Sequence, residues 1–190
     1  PFSKTAARIK KERMRAMKRT TDARHQAKNV ALYGLLVALA FIFSYVEHMI
    51  PVPIPIPGVK LGLANLVNVV GLYTVGPAGT AAVAVVRIVL VGFTFGNTSS
   101  MMYAMAGGVL SLAVMVLAYR FRWFGKTGVS ILGGVFHNIG QLSMAAFITE
   151  TAGVFSYLPW LLVAGVVTGC VIGILGGLVV ERITPVIRRI

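Results

Sequence analysis

Residues 81–93 read AAVAVVRIVLVGF, an apolar run broken only by Arg87. The run extends from Ala78 to Phe95, close to the ~20 apolar residues a helix needs to cross a bilayer. A cation at that depth costs about 3 kcal/mol on insertion scales. Arg87 must therefore face the interior of a bundle, against a partner or a polar cavity.

The composition agrees with a membrane reading. The chain has 190 residues, of which 57% are hydrophobic and 12% charged, with a mean hydropathy of +0.83. A soluble domain carries roughly 25% charged residues. Six apolar runs fit a crossing: Asn29 to Val46, Leu61 to Val75, Ala78 to Phe95, Met101 to Tyr119, Val129 to Ile148 and Leu158 to Val180. Gly76-Pro77, Gly96-Asn97 and Gly153 punctuate the gaps as breakers do. The expected fold is an all-α integral membrane bundle of six transmembrane helices. A basic cytoplasmic segment (1–28) precedes the membrane domain (29–190).

The net charge is +13, and ten of the eighteen Lys and Arg residues lie in residues 1–28. No aromatic residues are interleaved with those cations after Phe2, which argues against a single-strand nucleic-acid surface and for a segment beside anionic lipid. Two forms of that segment stay open: a helix on the membrane surface, with Ala6, Ile9, Met14 and Met17 as its apolar side, or a disordered basic tail. Arg120, Arg122 and Lys126 fill one loop, and Arg182, Arg188 and Arg189 the C-terminal segment. Six crossings put all sixteen of these cations on one face, which the positive-inside rule makes cytoplasmic, with both termini there. Glu47, His48 and Glu150 then fall at the outer face. The apolar run after the basic segment is too long for a signal-peptide core, so a retained helix is expected. Cys170 is the only cysteine, which leaves no intrachain disulfide and no Cys-rich metal site.

Two cations remain outside that scheme, Lys60 and Arg87. Lys60 follows PVPIPIPG (51–58), whose prolines hold the chain extended with few backbone donors. Arg87 has a structural reading, pairing with Glu47, Glu150 or helix carbonyls, and a ligand reading. The ligand reading leads, because intramembrane ionisable residues are functional by default. Asn65 and Asn68 are three apart and His137 and Gln141 four apart, so each pair shares a helix face; Asn138 lies beside them. Taken singly, such residues are more often interhelical hydrogen-bonders than ligand contacts. Together with two cations they favour an anionic or multiply polar small molecule entering from outside. Tyr103 and Asn97 are candidates for the same mouth.

Small residues mark packing faces. Gly165, Gly169, Gly173 and Gly177 recur every fourth residue of the last run, a ridge that lets another helix approach closely; a neighbour within the chain is expected. Ala31, Gly34 and Ala38 give the first run a similar side, and there a partner protein is expected. The chemistry of enzymes is missing. Diphosphate chemistry on magnesium needs clustered aspartates, and the chain has one, Asp22. Gly125-Lys126-Thr127 lacks the glycine five residues earlier that a phosphate loop requires. No Ser, His and acid form a nucleophile arrangement. No enzymatic activity and no metal site are expected.

The proline-rich first outer loop running into PGVKLGLAN, then VVRIVLVGFTFG and GVSILGGVFHNIGQL, resemble the Gx transporter family, also labelled heptaprenyl diphosphate synthase component I. That family is similar to the S components of energy-coupling-factor (ECF) vitamin transporters, and the resemblance covers residues 29–181. It implies a substrate-capturing subunit of a bacterial cytoplasmic membrane, working with a scaffold membrane protein and ATPases. Its outer pocket would draw on Lys60, Asn65, Asn68, Arg87, His137, Asn138 and Gln141, and its scaffold contact on Ala31, Gly34 and Ala38. Flavin-like, quinone-precursor and prenyl-phosphate solutes all suit such a pocket. A second reading is an accessory subunit of a membrane assembly concerned with isoprenoid quinones or flavin-linked electron transfer.

Overall fold

The computed structural model describes residues 2–50, 62–122 and 124–189. Six α-helices and one 3₁₀ turn make up the described chain: α1 (Phe2–Met49), α2 (Leu63–Thr74), α3 (Gly76–Thr94), α4 (Thr98–Phe121), α5 (Lys126–Thr149), the turn Ala152–Tyr157, and α6 (Leu158–Arg189). α1 is helical from Phe2 onward, through the basic segment. The chain divides into two units, Pro1–Leu35 and Leu36–Ile190. The first is a helix rich in cations. The second holds the rest of α1 and all the other helices, and is described below by itself.

Five helical segments are long and apolar enough to cross a membrane: Gln26–Met49, Gly76–Thr94, Thr98–Phe121, Lys126–Thr149 and Ala152–Ile187. The chain is thus a multi-pass membrane protein by its helices. α2 is different. Its 12 residues span about 18 Å at ~1.5 Å per residue, short of the ~30 Å hydrocarbon core. The second apolar run of the sequence is therefore a half-length helix between two breakers. Gly62 takes a left-handed φ of 76° at its start and Gly76 one of 79° after its end, conformations that favour glycine.

Helix ends follow the local sequence. Pro77 stands in the first turn of α3, where its missing N–H has no helical acceptor. Asn97 caps α4: its side chain accepts from Ser100 N at 2.7 Å while Ser100 Oγ accepts from Asn97 N at 2.9 Å, a reciprocal capping box. The start of α2 has no side-chain cap of its own. Instead Glu47 Oε1, from α1, accepts from Leu63 N at 2.8 Å, setting a carboxylate at the positive end of the helix. Glu47→Ala is expected to cost about 1 kcal/mol, the usual loss of a helix cap, and Glu47→Gln less than half of that. Thermal unfolding in detergent measures both; equal midpoints for the alanine variant and the parent would remove the cap from the account.

The helices alternate in direction. α2 begins beside Glu47, and its Tyr73 meets Tyr119 near the end of α4, with ring centroids 5.1 Å apart. Phe95, just after α3, meets Phe41, Tyr45 and His48 of α1 at 5.2–5.6 Å. The Lys126–Glu181 ion pair, 2.8 Å, brings the start of α5 to the far part of α6. The core is small and layered, with Val69, Leu72, Met115, Ala118, Val129 and Ile172 at its centre.

The glycine ridge of α6 packs on α5. A Cβ at Gly165 would stand 3.0 Å from Gly134 C, one at Gly169 2.7 Å from Ile131 Cα, and one at Gly173 2.6 Å from Thr127 Cα. The ridge is thus internal packing, as expected from its sequence. A matching approach joins α4 and α5: a Cβ at Gly140 would stand 2.7 Å from the Ala106 carbonyl, and one at Gly107 2.8 Å from that of His137. α5 is held by both neighbours at backbone contact.

Candidate functional site

α5 is the helix that carries His137, Asn138 and Gln141, and the close contacts just described fix its polar face. That face, with the last turns of α1 and α3 and the first turns of α2 and α4, lines a cavity of about 400 Å³, within the range of small-molecule pockets. Arg87, Asn65, His137, Asn138 and Gln141 all line it. Five residues from three helices, chosen from the sequence as candidates, share one cavity.

Arg87 lies near the middle of α3 and is 9% exposed. Its Nη1 donates to Ser44 Oγ at 3.3 Å, and Ser44 Oγ in turn donates to the Ala40 carbonyl at 2.8 Å. Its Nε is buried and has no hydrogen-bond partner. Among the described residues Arg87 forms no ion pair. Glu47 lines the same cavity but bonds the start of α2, and Glu150 is an exposed residue at the end of α5. Neither carboxylate makes a direct ion pair with Arg87, although the charge of Glu47 acts on it across the cavity. A guanidinium has five N–H donors in a planar fork, and a buried donor left unmet costs about 1–3 kcal/mol. The side chain thus keeps a buried donor that the described residues do not meet.

The amides have distinct placements. Asn65 lines the cavity, and Asn68 stands one turn behind it, 4% exposed, donating Nδ2 to Asn65 Oδ1 at 3.3 Å. Asn68 is outside the cavity lining and orients Asn65. Asn138 Nδ2 donates to the Leu161 carbonyl of α6 at 2.7 Å, so this residue ties α5 to α6 as well as facing the cavity. Gly107 makes room for its neighbours: a Cβ there would meet Gln141 Cγ at 2.7 Å. Asn97 lines the mouth, and Tyr103 is not among the lining residues. Lys60 lies outside the described residues.

Several lining residues did not stand out in the sequence. Ser44 is a single hydroxyl in an apolar run; its signal would be its buried side of α1, four residues from buried Ala40. His48 and Phe95 face each other in the cavity lining, ring centroids 5.2 Å apart. Thr168 reaches the floor from α6. Among the described residues no three His, Cys, Asp or Glu side chains gather as a metal site would need. The arrangement is one buried cation, a ring of neutral donors and acceptors, and one carboxylate already engaged at a helix start, which suits an anionic group.

Residues 36–179 match the family described as Heptaprenyl diphosphate synthase component I. The chain belongs to this family. The match takes in every lining residue of the cavity, from Ser44 to Thr168. The component I match begins one residue after the first unit ends, at Leu36, so the basic half of α1 stands outside it. No curated relative and no solved structure matches the sequence.

Proposed function

We propose that this component I protein is a non-catalytic, substrate-binding membrane subunit that takes up a small anionic or vitamin-like solute, in the manner of an S component, with ATPases and a scaffold membrane protein as partners. Five long helices cross a bacterial cytoplasmic membrane and the short, largely buried α2 makes the return between α1 and α3 inside the bundle, which leaves both termini in the cytoplasm and the cavity toward the outer face. One observation carries the reading: a buried guanidinium with an unmet donor in a cavity of about 400 Å³. Intramembrane cations of that kind mark ligand or ion sites more often than packing. Lys60 is assigned to the mouth of the same site, and Asn65, Arg87, His137, Asn138 and Gln141 to its wall. Ala31, Gly34 and Ala38 are exposed, and a Cβ at Gly34 would meet nothing within 4 Å; we assign them to the scaffold contact.

The family description, naming a component of a synthase, favours a second reading, an accessory subunit of an isoprenoid- or flavin-linked redox assembly. Purification from its native membrane separates the two. The uptake reading expects a copurifying small molecule, identified by mass spectrometry, and ATPase subunits in the same pull-down. Redox or synthase subunits at fixed stoichiometry, with an empty cavity, would give the result to the second reading.

A further inference from the structure

A second concavity lies on the other side of Ile88. It runs between α3 and α4, encloses about 420 Å³, and is lined by apolar residues throughout, among them Ala81, Ala84, Gly108 and Leu112. Val85 and Val109 on its rim are exposed, so in a bilayer the groove opens to lipid. Ile88 lines both this groove and the Arg87 cavity. It is 4% exposed, and its Cδ1 lies 3.2 Å from where a Gly108 Cβ would stand. Ile88 is therefore a side chain shared by the walls of a polar site and an apolar one.

The two are arranged along α3 in sequence. The cavity takes the stretch from Arg87 to Phe95 and Gly96, and the groove runs from Ile88 back to Pro77, about 16 Å at ~1.5 Å per residue. We propose that the ligand of the Arg87 cavity is an amphiphile, with an anionic head at Arg87 and one linear apolar chain lying past Ile88 in the α3–α4 groove. The proposal rests on the cavity being the solute site. Its ground is continuity and charge: a cation at the end of an apolar channel is complementary to an anionic head on a chain. The groove lets the head reach Arg87 while the chain stays in an apolar setting throughout. A water-soluble anion would use the cavity alone.

An apolar groove in a bilayer has no hydrophobic preference for a ligand chain over a lipid chain, so occupancy by itself decides nothing, and dependence on Arg87 does. The test places the full chain in nanodiscs of zwitterionic lipid and adds dodecyl phosphate bearing a diazirine at the chain end, with labelled sites mapped by mass spectrometry. Labelling is expected within residues 105–116 of α4. It should fall about ten-fold or more in Arg87→Gln, as the head loses its charge partner, and likewise under excess butyl phosphate. Ala81→Phe, which fills the groove from α3, should remove the labelling and leave butyl phosphate binding as it was. Groove labelling indifferent to both Arg87→Gln and butyl phosphate would mean bulk lipid only and overturn the proposal, as would labelling elsewhere or a second copy cross-linked in the groove. Butyl phosphate binding without Arg87-dependent groove labelling sinks the amphiphile alone; failure of butyl phosphate to bind the parent protein sinks the anion-site reading as well.

Discussion

Arg87→Gln is expected to weaken binding of an anionic probe such as butyl phosphate by about 100-fold, the loss typical of removing one member of a desolvated charge pair. The fold should survive the change. Arg87 has one hydrogen bond to a described residue, to Ser44 at 3.3 Å, and a buried Nε without one. Its burial costs more than its contacts return, so a neutral side chain that still reaches Ser44 is expected to unfold at the same temperature or a higher one. Arg87→Lys keeps the charge but not the planar fork; an intermediate loss of about ten-fold is expected. The measurement is a titration of the probe in nanodiscs, with thermal unfolding of the same samples. If Arg87→Gln binds the probe like the parent and melts several degrees lower, the residue is structural and the cavity loses its claim as an anion site. A structural cation and a ligand-binding cation thus differ in the sign of the stability change as well as in affinity.

Much of this was legible in the sequence, for a physical reason. Hydrocarbon imposes strong rules: spans must be long, apolar and bounded by breakers. α3, α4, α5 and α6 accordingly begin within about three residues of the apolar runs, and Arg87 turns inward because lipid would not accept it. α2, Leu63–Thr74, fits its short run of 61–75 as closely; what the run leaves unseen is that Gly62 and Gly76 hold left-handed turns at its two ends. Hydropathy does not register a backbone conformation. The amides show the other limit. Asn65 and Asn68 share a face by spacing, yet a single turn separates a residue that lines the cavity from one that supports it from behind. Asn138 faces the cavity and also holds the Leu161 carbonyl. Spacing fixes the side of the helix; which neighbour stands there is a property of the packing between helices. Ser44 did not stand out, because its relevance comes mainly from the Arg87 side chain opposite.

The glycine ridge of α6 should show opposite effects at its two ends. Gly165→Ala puts a methyl 3.0 Å from backbone atoms of Gly134 and Val135 and from Asn138 Nδ2; Gly169→Ala puts one 2.7 Å from Ile131 Cα. Backbone cannot rotate away as a side chain end can, so α5 and α6 must separate. Overpacking of this kind costs about 1–3 kcal/mol or more. At Gly177 the nearest atom is Lys126 Cδ at 3.6 Å, an ordinary contact. There alanine should stabilise by up to about 1 kcal/mol, the helix-propensity difference. Gly134→Val is the extreme case, since its Cβ would stand 2.6 Å from the Gly165 carbonyl oxygen; loss of folded protein is expected. Thermal midpoints of the four variants in one detergent read the series, and a Gly165→Ala midpoint matching that of Gly177→Ala would show that the α5–α6 seam is looser than this geometry. The consequence reaches the cavity, because Asn138 bonds Leu161 across that seam and Gly134 is part of the cavity wall. A methyl at Gly165 that parts the helices should therefore weaken anion binding without touching Arg87, whereas the stabilised Gly177→Ala protein should bind as the parent does.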